Sequence, residues 1–154
     1  MNRTIESALR FVNLTTSGLL AGSLGFGGAA LVPGWKDELP HRMRPIDSTG
    51  YFDAIGPLAL GTAVTLAIAT RGEHPVKRML DAASVIGLAG VLASTIMVTV
   101  PINRELEQQP ATDYPSEKSQ SLVKNWSRAH SVRTMLGIGA FICATAASVT
   151  GRRR

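Results

Sequence analysis

The 154-residue sequence predicts an all-α integral membrane protein, a bundle of four transmembrane helices with both termini on one side. Three observations carry this. First, no Asp, Glu, Lys, Arg or His interrupts residues 11–35, 54–70, 82–103 or 134–151. At 1.5 Å per residue each run can cross a hydrocarbon core, which takes about 17–25 residues. Second, nearly all the charge lies between these runs. Third, the runs are rich in Gly, Ala, Ser and Thr, which lowers the mean hydropathy to +0.14 but suits helices whose backbones approach closely in lipid. A soluble four-helix bundle is the weaker reading, because its helices would show recurring polar faces.

The chain divides into spans at about 8–32, 54–70, 79–101 and 130–151, joined by outer loops at 33–53 and 102–129. Met1–Arg10 is short and polar, and the run behind it imitates a secretory signal in outline. Its length and the lack of a small-x-small exit favour a retained span. Gly18, Gly22 and Gly25 share a face there, which predicts a helix contact or, less readily, room for a ligand. Pro33 and Gly34 end this helix. Two prolines and mixed charge make Lys36–Tyr51 irregular or only briefly helical. Pro57 is expected in the first turn of span two, where a missing N–H matters little. Arg71–Arg78 is a tight basic connection, and Asp81 is expected at the interface near Lys77 and Arg78. Arg104–Gln109 can extend span three beyond the membrane, Pro110 and Pro115 break it, and helix resumes from Ser119.

The termini and the Arg71–Arg78 turn carry eight basic and three acidic residues, and the opposite side carries eight of each. The count of Lys and Arg ties, but the first set sits closer to span ends. The termini are therefore placed in the cytoplasm, across a bacterial inner or plasma membrane. Span ends and anionic lipid account for the net charge of +5, so nucleic acid is not an expected partner. The one cysteine, Cys143, excludes an intramolecular disulfide and a cysteine metal cluster, and reads as a small packing residue.

The most informative stretch is Lys124–Thr134, K-N-W-S-R-A-H-S-V-R-T. Trp126, His130 and Arg133 stand at i, i+4 and i+7, one face of a helix that opens the last span. Two readings stay open: polar chemistry at the mouth of the bundle, or an interfacial anchor with Trp at the headgroups and Arg snorkelling beside it.

V-P-I-N-R-E-L (Val100–Leu106), followed by a polar gap and W-S-R-A-H-S-V-R-T (Trp126–Thr134), resembles the anthrone oxygenase family. L-L-A-G (Leu19–Gly22), with Pro33 near the exit of the first span, is similar too. The resemblance covers almost the whole chain and implies a small four-helix membrane protein, whose members of known role oxidise anthrones to anthraquinones. It points to Asn103, Trp126, His130 and Arg133. One departure is that the segment between Asn103 and Trp126 has Tyr114 as its only aromatic, where relatives often carry a second Trp.

An anthrone has an acidic methylene between two aromatic rings, and its anion is electron-rich enough to meet dioxygen without a cofactor. Dioxygen is then the co-substrate, and a lipophilic aromatic molecule and the lipid bilayer are the partners. Oligomeric state is left open. His130 is the expected base, because imidazole titrates near neutrality. Arg133 is the expected oxyanion partner. Asn103 is the third catalytic candidate, hydrogen-bonding a carbonyl or phenol. Trp126 and Asp53 are the substrate-binding candidates, Trp126 by stacking on a planar ring. Each has a structural alternative: His130 bonded to Asn103 or a loop carboxylate, Arg133 paired with Asp53 or Glu105, Trp126 as anchor, Asn103 as a helix terminator. No metal site is assigned. Iron or copper on His41, His130 and one of Asp37, Glu38, Asp47 or Asp53 stays open, although no ligand spacing recommends it. A non-catalytic accessory protein and a small-molecule binding or permeation protein are the rival functions.

Overall fold

The computed structural model describes residues 2–31, 49–108 and 116–150. Pro33, Gly34, His41 and the carboxylates Asp37, Glu38 and Asp47, the break at Pro110 and Pro115, and the basic tail lie outside them. Helix α1 (Arg3–Phe26) runs on into a π-helical turn, Gly27–Leu31. Helix α2 is Thr49–Ala69. Helix α3 (Pro75–Ser94) continues through a second π-helical turn, Thr95–Thr99, into α4 (Val100–Glu107), and α5 is Glu117–Val149. No strand occurs among the described residues.

Local chemistry sets the helix starts. The Asn2 side chain accepts from the Thr4 N–H, and Ser116 does the same for the Ser119 N–H at the head of α5. His74 caps α3 ahead of Pro75, which sits in the first turn where its missing N–H is harmless. Pro57 is not in such a place. Helix α2 begins at Thr49, earlier than the expected span, so Pro57 is interior and deprives the Asp53 carbonyl of its i+4 donor. Pro101 does the same to Met97, and here the π-helical turn immediately before it absorbs the defect, so helix continues to Glu107.

The helices form a closed square in chain order, α1 against α2, α2 against α3, α3 against α5, and α5 back against α1. The core is narrow and built from small residues. Ala59, Ala63, Ala140, Ala144 and Ala147 are buried beside Leu20, Leu24, Leu66, Leu88 and Val91. Helices α3 and α5 approach closely: a Cβ on Gly87 would stand 2.9 Å from Ala140 Cβ and 3.0 Å from the Leu136 carbonyl oxygen. The expected contact through Gly18, Gly22 and Gly25 is only partly right. Gly18 meets Phe141, but among the described residues nothing lies within 4 Å of a Cβ at Gly22 or Gly25.

Among the described residues, three helical segments are long and apolar enough to cross a membrane: Gly50–Ala69, Pro75–Glu107 and Glu117–Val149. We read the chain as an integral membrane protein on that basis. The expectation of four spans is borne out in part, as three candidate spans plus an amino-terminal helix. The described part of α1 carries Arg3, Glu6, Arg10, Asn13, Thr15, Thr16 and Ser17, and the last residues of its apolar run lie outside the described residues.

At the end of the bundle where α1 begins, α1 is tied to α3 by charge. Arg10 donates to both Asp81 oxygens, each at 3.2 Å, and to Glu6 at 3.1 Å. Lys77 reaches Glu6 at 2.9 Å, and the Thr70 hydroxyl donates to Asp81 at 2.8 Å. Asp81 is thus buried between the helices and held by Arg10 and Thr70.

Candidate active site

Trp126, His130 and Arg133 face inward. Their exposures are 8%, 6% and 7%, so the anchor reading, with indole and guanidinium among headgroups, does not describe them. The face that begins with them continues into the core as Gly137, Ala140, Ala144 and Ala147, which explains its direction: one apolar stripe of α5 carries its polar head in with it.

The imidazole is held on every side. Its plane lies parallel to Trp126, 3° apart with ring centroids at 5.0 Å. Nε2 lies 3.0 Å from the Leu24 carbonyl oxygen and Nδ1 lies 3.1 Å from Arg133 Nη2. A guanidinium only donates, so Nδ1 is the acceptor and Nε2 carries the hydrogen that goes to Leu24. His130 is therefore neutral in this arrangement. The Thr134 hydroxyl also reaches the Leu24 oxygen, at 3.3 Å.

The two π-helical turns flank this group from opposite sides. On α1, Gly27 and Gly28 make the room: a Cβ on Gly27 would lie 3.1 Å from His130 Cε1 and 3.2 Å from Nε2. On the α3 side, the first residue of the other turn, Thr95, accepts from Arg133 Nη1 at 3.2 Å while donating to the Val91 carbonyl at 2.8 Å. π-helical turns are rare and concentrate at functional sites, because the extra residue redirects side chains and loosens the carbonyl ladder.

Arg133 is the unusual member. Its partners are an imidazole nitrogen, a hydroxyl and the face of Trp126, 5.9 Å from the guanidinium carbon. No carboxylate pairs with it among the described residues. Its Nε is buried with no hydrogen-bond partner, as is the Thr99 hydroxyl at the far end of the same π-helical turn as Thr95. A buried cation whose neighbours are all neutral keeps most of its field, since solvent screens it poorly.

The other candidates stand apart. Asn103 is half-buried on α4 and forms no hydrogen bond to His130 or Arg133 among the described residues. Asp53 is exposed on α2 and does not pair with Arg133. Glu105 is engaged by Lys118 at 2.7 Å. No group of three potential metal ligands occurs among the described residues, and His41 with its neighbouring carboxylates lies outside them. The members that sequence reasoning missed are Thr95, Leu24 and the Gly27–Gly28 pair. The glycine pair had a visible signal, two glycines at the exit of an apolar helix. Leu24 acts through its backbone oxygen and had none.

A family model described as anthrone oxygenase matches residues 48–143. The chain belongs to the anthrone oxygenase family. Asp53, Asn103, Trp126, His130 and Arg133 all lie within the match, while α1, which supplies Leu24 and Gly27, precedes it. No curated protein and no solved structure matches the chain.

Proposed function

We propose that this anthrone oxygenase family member is a membrane-embedded oxygenase that takes an ionisable, lipophilic aromatic molecule and oxidises it with dioxygen. The observation that carries the reading is the Arg133 guanidinium, buried without a carboxylate and with Nε unpaired. Such a cation is prepared for an oxyanion that arrives with the ligand or develops during reaction. For an anthrone-like substrate the balance is simple: the methylene loses two hydrogens and gains one oxygen atom, and the second oxygen atom leaves as water.

His130 is the base in this reading, with a condition set by the geometry. Its Nδ1 lone pair is occupied by Arg133. When a substrate oxygen draws the guanidinium to itself, Nδ1 is released and can take the methylene proton, while Leu24 holds the opposite nitrogen and fixes the ring. Base and oxyanion partner are thus switched together by one ligand. Trp126, stacked on the imidazole, keeps the ring in plane and forms an aromatic wall. Asn103 and Asp53 enter only as residues of the same end of the bundle.

The same enclosure supports a second reading, a binding protein for lipophilic aromatic anions that carries out no chemistry, because the resting His130 has both nitrogens engaged. Oxygen uptake by the purified protein with an anthrone separates the two. His130→Gln is expected to accumulate in the membrane and to lose uptake by about 10²–10⁴-fold, the usual contribution of a general base. Full activity in that variant overturns the role given to His130. Tight binding of the anthrone without uptake by the wild type leaves the second reading standing.

A further inference from the structure

The described residues also form a groove far along the bundle from His130. It lies between α2 and α3 where the two helices are joined, has a volume of about 570 Å³, and is lined by Val64, Ala67, Ile68, Ala82, Val85 and Ile86 with Arg71 and Arg78. The apolar walls face outward, with Ile68 54% and Ile86 71% exposed. Both arginines are exposed and neither forms an ion pair among the described residues, although Arg10 and Lys77 nearby are engaged with Asp81, Glu6 and Glu73.

We infer that this groove is a binding site for one acidic phospholipid, with an acyl chain laid between α2 and α3 and the headgroup phosphate held by Arg71 and Arg78. The walls belong to two candidate membrane spans, so their outward apolar face meets acyl chains, and the arginines sit at the helix ends where headgroups lie. A guanidinium pair matches phosphate in charge and in hydrogen-bond geometry. Of the nearby acids, Asp81 and Glu6 are taken by Arg10 and Lys77, and Glu73 lies 3.8 Å from Lys77 and forms no ion pair with either arginine among the described residues. Apolar channel and unpaired cations in one groove fit an amphiphilic anion better than a peptide or a free ion. The inference is independent of the chemistry proposed at His130.

The test is native mass spectrometry of the full chain, purified in detergent with equal amounts of phosphatidylglycerol and phosphatidylcholine. A preference of roughly 25-fold for the acidic lipid is expected, about fivefold for each basic residue near the headgroup. R71Q/R78Q is expected to remove that preference, and both side chains are exposed, so the fold is not at risk. A82F, which fills the groove and keeps both charges, is expected to weaken retention of the acidic lipid. R128Q, an exposed arginine at the opposite end, is expected to leave the preference intact. Equal retention of the two lipids, a preference that survives R71Q/R78Q, or a loss as large in R128Q overturns the site. So does displacement by inorganic phosphate at concentrations that match the lipid, since the acyl chain would then contribute nothing.

Discussion

The two ends of the bundle each bury a set of charged and polar side chains, and they do so on opposite terms. At one end Glu6, Arg10, Thr70, Lys77 and Asp81 satisfy one another, cation against carboxylate, and tie α1 to α3. At the other, Arg133 has only neutral partners and an unpaired Nε, held between two π-helical turns. A balanced cluster supports the fold and has nothing left for a ligand. An unbalanced one contributes little to stability and retains its field for whatever enters. In the proposed reading structure belongs to one end and chemistry to the other, and variants at each end test that division.

The largest stability effect is expected from Arg10→Ala. It leaves Asp81, only 4% exposed, with Thr70 as its remaining partner, and removing one member of a buried pair costs about 3–5 kcal/mol. Thermal unfolding in detergent measures it, and a loss below about 1 kcal/mol would mean that the cluster is not what joins α1 to α3. Arg133→Met is expected to lie well below that, at about 1–3 kcal/mol, because the main loss is the donor to His130 Nδ1. It should nevertheless abolish turnover and the binding of an aromatic anion. A destabilisation equal to that of Arg10→Ala would erase the contrast between the ends.

Smaller again is Gly27→Ala. The added Cβ would meet His130 at 3.1–3.2 Å, so the ring must yield by a few tenths of an ångström and its bond to Leu24 lengthens. Overpacking of about 1–3 kcal/mol is partly offset by the helix preference of Ala over Gly, about 0.5–1 kcal/mol. Activity should fall by more than stability does, and a variant with wild-type kinetics would show that the exact seat of the imidazole is unimportant.

Much of this was legible in the sequence, for particular reasons. The helices follow from uninterrupted apolar runs, and the shared face of Trp126, His130 and Arg133 from their spacing, while its inward direction is seen only in the structure. What could not be read depended on neighbours distant in the chain. Arg10 and Asp81 are 71 residues apart, and each alone reads as an interfacial charge. The family pattern points to Asn103, and Asp53 lies at the same end as His130, but an end of a bundle has an outside as well as an inside, and Asp53 is on the outside. The π-helical turns lack a local pattern, although Pro101 forbids one i to i+4 bond and so marks the place where the ladder had to shift.

The last prediction concerns pH and the balanced end alone. The hydrogen bond from Lys77 lowers the Glu6 carboxyl below the usual carboxylate value; partial burial opposes this, and Arg10 adds to the lowering. A carboxylate whose folded value is depressed contributes stability that is present in full above its unfolded value, about 4.3, and is lost as pH falls through the lower folded value. Melting temperature should therefore be flat for this group near neutrality and decline in acid below about pH 4. Glu6→Gln should lower the neutral plateau slightly, because Lys77 loses a charged acceptor, and should flatten the acid decline. Turnover at neutral pH should be unchanged in that variant, since Glu6 touches nothing at the His130 end. An acid decline as steep as that of the wild type would leave Glu6 outside the group that holds α1 in place.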